Sequence, residues 1–108
     1  MKRIYYAGAS LLTGERIAES VLRYAAALAK VGSAEEIAVP SITEDGKREE
    51  VMILVGPASQ LLAEDEPSHS DLEDPSFVAE LDRKTRALGI SQAQPVEQES
   101  DENDYDML

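Results

Sequence analysis

Cysteine and tryptophan are absent from this 108-residue chain, and histidine and phenylalanine occur once each. Without cysteine there are no disulfide staples and no thiolate zinc sites, a composition that suits a reducing compartment. A lone histidine, His69, excludes a His-cluster metal site and leaves no rigid nucleophile–base pair to build an enzyme on. Bases are scarce as well: ten Lys and Arg stand against 22 Asp and Glu, a net charge of -12. Nucleic acids and anionic membranes select basic faces, so neither is an expected partner. No apolar run approaches a membrane span, and the stretch after Met1-Lys2-Arg3 is too short for a signal-peptide core. The expectation is a cytoplasmic, cofactor-free chain of one domain with a modest core.

The acidity is uneven. Residues 1–63 hold eight acids and seven bases, whereas residues 64–108 hold fourteen acids and three bases. The chain therefore divides into a nearly neutral core (1–63), an acidic linker (64–74), an amphipathic helix packing on the core (75–90) and an acidic tail (91–108) whose composition predicts disorder.

Within the core, residues 2–7 read as a first strand and residues 8–12 as a connection. Thr13 is placed to cap a helix over 14–31, with Glu15 in its first turn and Gly32 as the stop. Ile17, Val21, Tyr24 and Leu28 repeat at helical spacing. Ala18, Leu22, Ala25 and Ala29 form a second stripe, so this helix should be covered on more than one side. Residues 36–43 read as a second strand, pushed towards a sheet edge by Pro40. Asp45-Gly46 marks a hairpin into a third strand over 48–55. Its two apolar faces, Val51, Ile53 and Val55 against Met52 and Leu54, place it at the sheet centre. Gly56 to Ala63 suggests a short helical turn. Asp74-Pro75 starts the last helix and Gly89 ends it. A further strand near 90–96 is only weakly supported.

This element order predicts an α+β fold: a β-α-β-β-α two-layer sandwich, half or truncated ferredoxin-like, with sheet order 1-3-2 and a disordered acidic C-terminal tail.

Few features carry chemistry. The strand-to-helix loop offers Gly8, Ser10, Thr13 and Gly14 for an anion or nucleotide, although Glu15 stands where a P-loop lysine would be. The pattern reads first as a turn with a helix cap, and only second as a ligand site. In a 1-3-2 sheet, Gly8 and the 56–59 turn lie at opposite ends, which weakens any site built from both. His69 sits among acids in a linker, and no EF-hand spacing occurs. Thr-Gly-Glu-Arg-Ile-Ala and Leu-Val-Gly-Pro-Ala-Ser read as structural segments of a bacterial protein and bring no activity with them. The terminal Asp104-Tyr105-Asp106-Met107-Leu108 suits a short docking motif or a solubilising tail. Acidic mimicry of nucleic acid is a remoter option. The leading expectation is a non-enzymatic interaction module, self-associating as a homodimer or docking one protein partner. Its surface would include Tyr24, Leu28, Met52, Leu54, Phe77 and Leu81. A small-ligand sensor or minor enzyme is the alternative.

Overall fold

The structure, a computed structural model, describes residues 1–68 and 70–93, with side chains through Gly89. The expectations for His69 and for the chain beyond residue 93 lie outside the described residues. The elements run β1 (Lys2–Tyr6), β2 (Ala9–Thr13), α1 (Glu15–Lys30), β3 (Glu35–Ile42), β4 (Arg48–Val55), β5 (Leu61–Asp65) and α2 (Pro75–Ala93). The fold is α+β, with five antiparallel strands in the order β4-β3-β2-β1-β5.

That order replaces the expected 1-3-2 arrangement. Two short strands make the difference. Tyr6 pairs with Ala9, so only Ala7 and Gly8 turn the chain, both at positive φ (51° and 83°), the signature of a type I′ hairpin. The presumed connection after Gly8 is therefore β2, which inserts between β1 and β3. After β4, a turn closes at 56–59 through Ser59 N–H to the Gly56 carbonyl. The chain then extends as β5 along β1, where a helical turn was expected. The expected core–linker boundary at residue 63 falls inside this strand.

The β3–β4 hairpin forms at Asp45-Gly46 as expected, with Gly46 at φ 83°. Its strand positions are reversed, however: β3 is interior and β4 is an edge. Pro40 survives inside the sheet because β2 meets β3 at a single pair, Leu12 with Ile42. The missing Pro40 N–H faces away from β4, and its carbonyl accepts the buried Thr13 hydroxyl at 2.6 Å.

One face of the sheet carries Ile4, Leu11, Ile37, Val39, Ile53 and Val55, all buried. Helix α1 covers it with Ile17, Val21, Tyr24 and Leu28, and α2 packs against α1, so α1 is indeed covered on more than one side. Each buried aliphatic side chain contributes about 1.5–3 kcal/mol of burial. The sheet curls around this core. The Tyr6 hydroxyl donates to the Leu54 carbonyl, although β2 and β3 stand between their strands. In a flat sheet that gap is roughly 14 Å, more than a tyrosine spans.

Helix α1 stops as expected. Ser33 N–H reaches the Leu28 carbonyl and Gly32 N–H the Ala29 carbonyl, with Gly32 at φ 69°. Gly32→Ala should cost about 1–2 kcal/mol, the strain of an L-residue in the left-handed region, measured by urea denaturation. No Cβ clash adds to it, since nothing lies within 4 Å. The helix start differs from expectation: Gly14 is the N-cap without a side-chain bond, because Thr13 is committed to Pro40. Helix α2 starts at Asp74-Pro75, the Asp74 carboxylate accepting Phe77 N–H at 3.1 Å, but it runs through Gly89 to Ala93. The backbone of residues 90–93 is thus helical, not strand.

Candidate functional site

The helix start at Gly14 is filled by the chain itself. Asp71 Oδ1 accepts Glu15 N–H at 3.2 Å and lies 3.5 Å from the N-terminal ammonium. It occupies the place an anionic ligand would take at this helix end. A Cβ built on Gly14 would lie 1.7 Å from the Leu72 carbonyl oxygen. The four sequence candidates do not converge here. Gly8 is in the hairpin turn, Ser10 is exposed and accepts from Arg3 Nη1 at 3.0 Å, Thr13 is buried under Pro40, and Gly14 is sealed by Leu72.

Gly8 and the 56–59 turn, expected at opposite ends, instead line one open cleft of about 440 Å³ with Tyr6, Leu54 and Gln60. The sheet curl brings them together. The cleft holds no acid and no base. A larger groove, about 580 Å³, lies between the first turn of α1 and the first three turns of α2 and carries Arg16, Ile17, Leu72, Val78 and Arg86. Its Asp74 and Asp82 are bound to Arg48 and Arg23. No group of three or more metal-ligating side chains occurs among the described residues.

Among the described residues, the displaced titrations trace to structural contacts. A hydrogen bond and ion pair with Lys2 lower Asp65, and the same with Arg3 lower Glu66. The Arg48 contact and Phe77 N–H lower Asp74, and Arg83 lowers Glu80. Burial, helped by the Glu35 carboxylate, pushes Tyr24 up to about 12. The Tyr24 and Lys84 hydrogen bonds hold Glu35 below its ordinary value. Each shifted group is tied into an ion pair or hydrogen bond that joins two parts of the fold or one helix turn.

The expected interaction surface divides. Tyr24, Leu28 and Leu81 are buried and Phe77 is half-buried against the core, so these four hold α1 and α2 in place. Met52 and Leu54 remain outside, 62% and 52% exposed. They lie on the sheet face opposite the helices, which no described element covers. Two further apolar residues stand on that face outside the six expected ones, Tyr5 at 40% and Leu62 at 55% exposure, paired across β1 and β5. The adjacency of Tyr5 and Tyr6 on one strand already sends one of the two tyrosines outward, and Leu62 is the one that was missed. Once β5 is known, strand alternation finds it. Half-buried Leu12, Ala38 and Ile42 lie between the two pairs.

No helix of the described chain is long and apolar enough to cross a membrane. No family model matches the sequence, and neither the curated proteins nor the solved structures include a similar one.

Proposed function

We propose that this chain is a non-enzymatic protein-interaction module whose helix-free sheet face receives another protein chain. One observation carries the reading: four large apolar side chains, Tyr5, Met52, Leu54 and Leu62, stand exposed on the uncovered face, whereas the large apolar side chains of the opposite face are buried or half-buried. Apolar residues gathered on one face, rather than scattered, mark recognition surfaces. A homodimer through this face and a complex with one different protein are both versions of the reading.

A photo-reactive side chain in place of Leu62 should cross-link to a second protein chain in living cells. The same group in place of Glu19, on the polar side of α1, should give at most a tenth of that yield. Leu54→Lys with Leu62→Lys should abolish the cross-link formed from Tyr5 while leaving the circular dichroism spectrum unchanged. Equal yields from Leu62 and Glu19 would rule out the sheet face as the surface.

A further inference from the structure

Strand β4 presents a free edge whose chemistry selects its occupant. The Leu54 carbonyl accepts the Tyr6 and Ser59 hydroxyls, so it points away from β3. Main-chain groups alternate in direction along a strand, so those of Met52 and Glu50 also point away from β3. Pro40, opposite Glu50, agrees, because its carbonyl goes to Thr13 on the β2 side. Among the described residues nothing takes up the Glu50 and Met52 main-chain groups, and both residues are exposed. The pairing with β3 is unbroken from Arg48 to Val55, so no bulge twists the edge away. From Glu49 to Val55 it carries neither proline nor lysine, two common guards of open edges.

Charge decides what can sit there. Residues 35–55 contain six acids and two bases. Arg48 is bound to Asp74, and of the acids Glu35 alone is ion-paired among the described residues. Glu49 and Glu50 lie on the edge strand itself. A second copy added to β4 would set two such acidic hairpins side by side, and their repulsion disfavours it. A basic partner is attracted by the same charges. Along the edge, Glu49 and Glu50 are followed by Val51 and Met52, so the complementary strand carries basic residues beside the first pair and apolar residues beside the second.

We infer that β4 accepts an extended segment of a different protein by strand addition, with two adjoining basic residues set against Glu49 and Glu50 and β-branched apolar residues set against Val51 and Met52. Main-chain bonds to Glu50 and Met52 supply affinity, and the two side-chain pairs supply specificity. This inference rests on the interaction-module reading and names the edge and the partner chemistry.

The probe is a blocked peptide, Val-Ile-Val-Lys-Lys, which as an antiparallel strand sets its lysines against Glu49 and Glu50, titrated into the full 15N-labelled chain, with Val-Ile-Val-Glu-Glu as control. The basic peptide should shift the Glu50 and Met52 amides and slow their hydrogen exchange. It should bind at least tenfold more tightly than the acidic control and weaken as salt rises. Met52→Pro should remove this binding; the Met52 N–H faces away from β3, so proline breaks no bond of the sheet there. Met52→Val should keep it. Equal binding of both peptides, or shifts confined to Tyr5 and Leu62, overturns the inference and leaves the sheet-face reading standing. No shift at millimolar peptide also overturns it, and the Leu62 cross-link then decides the broader reading separately. A dimer on light scattering that Met52→Pro dissolves would show that the edge takes a second copy, and would overturn it too.

Discussion

Gly14→Ala should destabilise the fold by about 3 kcal/mol, the upper end of the usual cost of forcing atoms into a filled site, because the clash is with main chain. In a domain of this size that is a fall of more than about 10 °C in Tm. The backbone at Gly14 is ordinary extended chain, φ -75° and ψ 160°, so glycine is not needed there for its conformation. It is needed for space. An added Cβ would stand 1.7 Å from the Leu72 carbonyl oxygen and 2.8 Å from its carbon. Those are main-chain atoms and cannot swing aside, so the backbone at Asp71 and Leu72 must lift. Lifting it pulls half-buried Leu72 off the core and Asp71 off Glu15 N–H. It also disturbs the entry to α2, whose Asp74 caps Phe77 and binds Arg48. Gly8→Ala is the contrast: φ is 83° and nothing lies within 4 Å, so only left-handed strain of about 1–2 kcal/mol applies. Thermal unfolding of the two variants in parallel checks the difference. If Gly14→Ala unfolds within about 0.5 kcal/mol of the parent, the close approach of the linker is not a constraint on stability. Hydrogen exchange supplies a second reading, since the Glu15 amide should lose protection in Gly14→Ala and keep it in Gly8→Ala.

The linker's hold on Gly14 shows where sequence reasoning stops. Features closed within a few residues were legible: Asp45-Gly46 as a turn, Gly32 as a helix stop, Asp74-Pro75 as a helix start. Each is fixed by a local dihedral or cap. What depended on a distant partner was not. Ala7-Gly8 makes a type I′ turn, but alanine at positive φ is not a turn signal, so β2 passed for a loop. Strand β5 is short and ends in Glu64-Asp65. Those acids suggest a linker until Lys2 is found 2.6 Å from Asp65, and Arg3 2.7 Å from the neighbouring Glu66. The alternation in β4 was read correctly as two apolar rows, and its meaning was reversed. Period two tells which residues share a face, not whether that face is covered. Met52 and Leu54 have the pattern of the second face of a central strand, yet they stand on the open face of an edge. The candidate ligand loop failed for a related reason. A glycine before a helix suggests room for a ligand, whereas here a segment more than fifty residues onward fills it.

The cluster that ties α2 to the rest makes the second large prediction. Tyr24, 3% exposed on α1, donates its hydroxyl to Glu35 at the start of β3. Lys84 on α2 donates to Glu35 Oε2 at 2.9 Å, its ammonium 5.8 Å from the centre of the Tyr24 ring. One carboxylate thus receives bonds from both helices. Glu35→Ala should cost about 2–3 kcal/mol, because it removes an ionised acceptor and strands a buried phenol. Tyr24→Phe should cost about 1–2 kcal/mol, since Lys84 still satisfies the carboxylate.

The pH dependence has a definite sign on each side. Burial first, and Glu35 second, raise Tyr24 from an ordinary 10.0 to about 12. A raised pKa means the contribution is whole below pH 10 and is lost as pH climbs towards 12. The Glu35 carboxyl is lowered from 4.5, by the Tyr24 bond first and the Lys84 bond second. Its contribution is therefore whole above pH 4.5 and is lost as pH falls through the depressed value. Stability from this cluster should form a plateau between about pH 4.5 and 10 and decline on both sides. Tyrosinate absorbance should show one of the four tyrosines ionising near pH 12, and Tyr24→Phe should remove that step. Glu35→Gln should move the step down only in part, because burial remains the larger cause. If no tyrosine ionises above pH 11, the buried Tyr24–Glu35 contact is not formed; if Glu35→Gln abolishes the upward shift entirely, the carboxylate and not burial controls the phenol.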